Sequence, residues 1–156
     1  MKKIGLLLAV AGFTFIVSCK SADKKEAGET MSPKAQADSL EKQVIEGHDV
    51  AMHKSMKIPD LQKETKRLID SIRGLPAKAQ EAAAPFKAKL EVAYQELRDA
   101  GASMEKWMDE FDYDSAKDNL EQRIKYLADE KLRVEKVKEA VLESVRKADA
   151  MLKEKH

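Results

Sequence analysis

From residue 38 to near the C-terminus, apolar side chains return every three or four residues, and this single period dictates the fold class. That spacing lines one face of an α-helix, whereas a strand requires alternation. In a first stretch the recurring positions are Leu40, Val44, His48, Ala51, Ser55, Ile58, Leu61, Thr65, Leu68 and Ile72. In a second they are Ala79, Ala83, Phe86, Leu90, Ala93, Leu97, Ala100, Met104, Met108 and Phe111. In a third, Leu120, Leu127, Val134, Val141 and Ala148 stand seven apart. Ile124, Val137, Val145 and Leu152 fill the turns between, and Lys131 and Lys138 interrupt that second stripe.

Two breaks divide the pattern. Gly74-Leu75-Pro76 joins a helix-ending glycine to a proline able to open the next helix. Asp112-Tyr113-Asp114-Ser115 supplies turn residues, with Asp114 or Ser115 as the next cap. The expected helices span 38–74, 76–112 and 114–153, the first capped by Ser39. Pro59 should kink or split the first helix, and Pro85 should kink or delay the second, because proline lacks the amide donor and crowds the preceding turn. Equal lengths and short connections predict an all-α fold, an antiparallel three-helix bundle roughly 55 Å long. Pairing of the same helices between molecules as a coiled coil is the alternative. Composition agrees: 37% charged and 5% aromatic residues suit long solvated helices.

The N-terminus has a different character. Lys2 and Lys3 precede an apolar run from Ile4 to Val17. That run is shorter than the roughly 20 residues needed to span a bilayer and reads as the core of an export signal. It ends in Ile16-Val17-Ser18-Cys19, which resembles the lipobox of bacterial lipoproteins. The resemblance implies that residues 1–18 are cleaved and that Cys19, the single cysteine, carries the lipid. An ordinary secretory signal with an incidental cysteine is the other reading. Residues 19–37 are polar, with little to bury, and are expected to form a flexible tether. Lys20 follows the cysteine where an Asp would suggest inner-membrane retention, so a lipid anchor in the outer membrane is expected, its face left open. The membrane, reached through lipidated Cys19, is thus the first expected partner, and an envelope protein the second.

With the helices laid out, a family resemblance emerges. It rests on Gly47-His48-Asp49-Val50-Ala51-Met52-His53-Lys54-Ser55-Met56, on Ser103-Met104-Glu105-Lys106-Trp107-Met108-Asp109-Glu110-Phe111, and on Tyr126-Leu127 with the run from Glu130 to Val141. These segments resemble small Gram-negative lipoproteins commonly labelled "viral A-type inclusion protein", a label arising from generic coiled-coil similarity. The resemblance covers most of residues 38–150. It implies fold and envelope location and brings no activity with it.

Function classes narrow by chemistry. The chain has 29 basic and 28 acidic residues; loss of Lys2 and Lys3 with the signal leaves 27 against 28. Nucleic-acid binding wants a strong basic excess, so no nucleic-acid partner is expected. One cysteine rules out an intrachain disulfide and a cysteine-rich metal site. No nucleophile elbow or glycine-rich phosphate loop is present, and His48 and Asp49, adjacent on a helix, are expected to point apart. No enzyme and no cofactor are therefore expected. One constellation remains. His48, Met52 and Met56 share a helical face, as do Met104 and Met108 on the next helix, with Trp107 beside them. Folding at residues 75–76 would set His48 level with Met104. His48, Met52, Met104 and Met108 are thus candidate ligands for copper as Cu(I), which favours imidazole and thioether donors. Haem is a more distant candidate, and methionines filling core gaps are the plain alternative. A further reading is a non-catalytic helical binding or spacer module, working through an exposed stripe with Tyr94, Tyr113 and Tyr126 as contributors.

Overall fold

The computed structural model describes residues 31–153, and these residues form an all-α bundle. Its helices are α1 (Pro33–Ser55), α2 (Ile58–Arg73), α3 (Ala77–Glu110) and α4 (Leu120–Lys153). α1 and α2 follow each other in one direction, broken only at Met56 and Lys57, so four helices make three arms. α3 runs back against them, and α4 runs forward again. The cross-links fix these directions: Glu41 meets Arg123 near the start of both α1 and α4, while Glu96 meets Lys147 and Trp107 meets Glu130 across the antiparallel pair. α1 packs chiefly on α4, α2 chiefly on α3, and α3 on α4. The expected signal peptide, the lipidation expected at Cys19 and the expected tether as far as residue 30 lie outside the described residues.

The expected boundaries need three corrections. Helix begins at Pro33, five residues ahead of its expected start at residue 38. Ser32 accepts from the Ala35 amide at 3.2 Å, Pro33 takes the first helical position where its missing donor costs nothing, and Ala37 is buried. Ser39 is therefore inside α1, where Gln43 donates to its hydroxyl and carbonyl. The split expected at Pro59 is present, with Pro59 in the first turn of α2, where it is tolerated. Pro85 neither delays nor divides α3, which runs unbroken from Ala77; the proline lies on the solvent side. The last helix opens at Leu120, six residues later than expected. Asn119 caps it, accepting from the Gln122 amide at 3.1 Å, while Asp112 spends its carboxylate on the Asp114 amide in the preceding turn. Ala116, at φ 56°, lets the intervening chain reverse.

The core follows the expected seams closely. Val44, Ala51, Ile58, Thr65 and Leu68 are buried from the first arm; Leu90, Ala93, Leu97, Ala100 and Met104 from the second; Leu127, Val134, Val141 and Ala148 from the third. Three adjoining clusters result. One holds Ala37, Val44, Trp107, Leu127 and Val134; a central one is built on Ala51, Ile58, Leu97, Met104 and Val141; a smaller one comprises Leu68, Ile69 and Leu90. Three expected core positions fail: Ala79, Met108 and Leu120 are exposed, Ala79 in the first turn of α3. Met108 is 38% exposed and Trp107 takes the buried place, because a step of three from Met104, not four, continues the inward face. Leu120 is exposed because it is the first residue of its helix, with no turn before it to help cover it.

Candidate functional site

Besides the expected apolar positions, α4 buries a set of polar side chains. Beside Leu127, Val134 and Val141, the residues Arg123, Glu130 and Ser144 are buried and polar, Arg123 and Glu130 seven apart and Ser144 fourteen beyond. Burying such groups is costly unless each is paired, and each is. The Trp107 indole N–H donates to Glu130 Oε2 at 2.9 Å, inside the bundle. Arg133 donates to the other Glu130 oxygen at 2.7 Å and pairs with Glu110 as well. Arg123 donates to Glu41 at 2.9 Å and to the Ser115 carbonyl at 2.8 Å. Ser144 donates to the Val141 carbonyl.

An aromatic cluster covers these pairs. Trp107 stacks on Phe111 at 4.9 Å, and Phe111 stacks on Tyr126 at 6.1 Å and meets Tyr113 edge-on. Arg123 lies over the rings of Tyr113 and Tyr126. The Tyr126 hydroxyl accepts from the Asp112 amide at 2.7 Å, which fastens residue 112 to α4. The Tyr113 hydroxyl and then the Arg123 guanidinium hold the Glu41 carboxyl below its ordinary range, and Glu41 in turn pushes the Tyr113 phenol up. Start of α1, end of α3, connection 111–119 and start of α4 are joined here by specific polar contacts. Tyr94 takes no part; it packs against the Leu68, Ile69 and Leu90 cluster, so the three tyrosines do not form one stripe.

The four candidate metal ligands are partly brought together. Met52, Met104 and Met108 line one open groove of about 400 Å³ at the break between α1 and α2, with Ser55, Ile58, Gln62, Arg98 and Glu105 among its walls. Met104 is buried at its base, and Met52 and Met108 are exposed at its rim. The Ser55 hydroxyl donates to the Met52 carbonyl at 2.9 Å and lies 3.7 Å from the Met52 sulfur. His48 is not in this groove. Its ring leans on Trp107, 5.6 Å between centroids, and its Nδ1 lies 2.9 Å from Asp49 Oδ1. The expectation that His48 and Asp49 point apart is thus wrong, since side-chain rotation closes the 100° between neighbouring helical positions. Among the described residues no three His, Cys, Asp or Glu side chains converge as a metal site. None of the described helices is long and apolar enough to cross a membrane.

Sequence reasoning missed Arg123 and Glu130. The signal was present: extending a seven-residue period through Arg123, Glu130, Val137 and Ser144 would have marked them as inward-facing. Comparison with family models, with curated proteins and with solved structures finds no match to this chain.

Proposed function

We propose that this protein is a lipid-anchored envelope lipoprotein whose bundle is a non-catalytic helical binding or spacer module. The observation that carries the reading is how the buried charges are used. Glu130 is engaged by Trp107 and Arg133, and Arg123 by Glu41 and a carbonyl, so they tie the arms together. Catalytic groups are instead held with unspent hydrogen-bonding capacity facing a cleft. The outer faces carry ion pairs four apart, such as Lys34–Asp38, Lys66–Asp70 and Lys153–Asp149, as a solvated rod requires. Anchor and spacer are tested separately. Cys19→Ala should abolish labelling by a palmitate analogue and leave the protein uncleaved or soluble; unchanged processing and fractionation overturn the anchor. Replacing residues 33–153 by an unrelated three-helix bundle of equal length should preserve a spacer's activity in a deletion strain. Failure to complement, with the chimera still at the membrane, selects the binding module.

A second reading, Cu(I) binding, is favoured by the grouping of Met52, Met104 and Met108 in one groove. Three thioethers without a negative ligand suit Cu(I) and disfavour Zn(II). Anaerobic Cu(I) titration against a competing chelator tests it. Met104→Leu keeps the apolar volume and should abolish binding, whereas His48→Ala should leave it unchanged. A wild-type protein unable to compete with a moderate chelator makes the methionines packing residues only.

A further inference from the structure

A second and larger groove, of about 590 Å³, lies between α3 and α4 toward the end where α2 closes, and residues of α3 and α4 alone line it. Its size falls within the roughly 300–1,000 Å³ of small-molecule sites. Phe86, Ala93 and Met151 supply apolar surface, Ala88 and Ala150 leave room beside them, and Val92 is 58% exposed at the wall. The charges around it are unequal. Lys147 is held by Glu96 and Glu143 at 3.1 Å each. Lys89 and Arg146 also line the groove, and neither pairs with a carboxylate among the described residues. An apolar trough with two uncommitted cations complements a ligand that has an apolar tail and an anionic head.

We propose that this groove binds a long-chain fatty acid, its carboxylate met by Arg146 at the Glu96–Lys147 end and its chain laid over Ala93, Val92 and Met151 past Lys89 toward Phe86. A partner helix fits less well. Farther along the same α3–α4 furrow the walls become Glu96, Asp99, Ser103, Glu143 and Ser144, so the apolar stretch stops short of what an amphipathic helix needs. Both cations sit at exposed positions, so altering them leaves the core intact.

The test uses isolated membranes bearing the full chain. A photoactivatable hexadecanoic acid is added, irradiated, and its adducts mapped by mass spectrometry. Adducts should concentrate on peptides carrying Val92 and Met151 and be displaced by hexadecanoate. Hexadecanol, lacking the charge, should compete at least tenfold less well. Shortening the competitor should weaken it by up to about fourfold per methylene, the value for full burial. Lys89→Glu with Arg146→Glu should cut labelling at least tenfold, and Ala88→Phe, which fills the groove from an exposed position, should do the same. Labelling spread evenly over the surface, or untouched by these variants, overturns the proposal. Labelling of the groove by a photoactivatable phosphatidylglycerol but not by the free acid overturns it too, as does competition by hexadecanol equal to that by the acid.

Discussion

Thr65 is 1% exposed, and its hydroxyl has no hydrogen-bond partner among the described residues. A buried polar atom left unpaired costs about 1–3 kcal/mol, so Thr65→Val should stabilise the protein by roughly 1 kcal/mol, read as a higher urea midpoint at unchanged slope. An equal or lower midpoint would mean the hydroxyl finds a partner in solution. Two helical glycines make a sharper pair. A Cβ at Gly47 would meet Val134 Cγ1 at 3.0 Å, while one at Gly101 would meet only Ile58 methyls at 3.8 and 3.9 Å. Alanine gains about 1 kcal/mol over glycine in a helix, but overpacking costs about 1–3 kcal/mol. Gly101→Ala should therefore stabilise, and Gly47→Ala should destabilise. Adding Val134→Ala should relieve the second effect, giving a coupling in a double-mutant cycle. Gly47 explains why α1 lies so close on α4, and nothing in the local sequence distinguished it from Gly101. Each glycine interrupts a helical pattern alike, and only the facing residue decides its worth.

At the scale of elements, what the sequence made legible was periodicity, and what it concealed was everything set by single hydrogen bonds. Every apolar position assigned to the first arm is buried or half-buried, because a stripe of ten positions averages over local exceptions. The helix ends went astray wherever one side chain settles the matter, at Ser32 and Asn119. The metal candidates were legible as faces of two helices but not as rotamers, so the methionines met and His48 turned to Trp107. The connection 111–119 shows the same dependence on individual contacts and has a pH signature. Because Tyr113 and Arg123 lower the Glu41 pKa from its ordinary 4.5, the folded state binds this proton more weakly than the unfolded chain does. The stabilisation is complete above the ordinary value and is lost as pH falls through the depressed one. Urea midpoints measured between about pH 6 and pH 3 should fall less steeply for Glu41→Gln than for wild type, since glutamine removes this titration. Parallel curves would mean that the latch contributes no linkage.

Across the whole bundle, stability should be graded from one end to the other. Where α1, α4 and the end of α3 meet, Ala37, Val44, Trp107, Leu127 and Val134 are buried together, and the Glu130 and Arg123 pairs lock the same layers. The centre has the largest buried group. At the far end only Leu68, Ile69 and Leu90 are fully buried, with Phe86, Tyr94, Met151 and Leu152 partly covering them. Ala79 is exposed there, and Pro85 removes one amide from the α3 ladder. Helical stability in a bundle comes mainly from packing of the apolar face, so a segment with few buried contacts opens at low cost. Native-state hydrogen exchange should accordingly find the amides of residues 78–88 and 66–73 exchanging through local opening, well ahead of those at 97–107 and 127–141. The latter should approach the global unfolding limit and respond to denaturant with the full unfolding slope. Leu97→Asp should bring down both sets, since it buries an unpaired charge at the centre. Leu90→Ala should lower protection mainly in the first set. If Leu90→Ala reduced protection equally everywhere, the bundle would open as one cooperative unit and the gradient would be refuted.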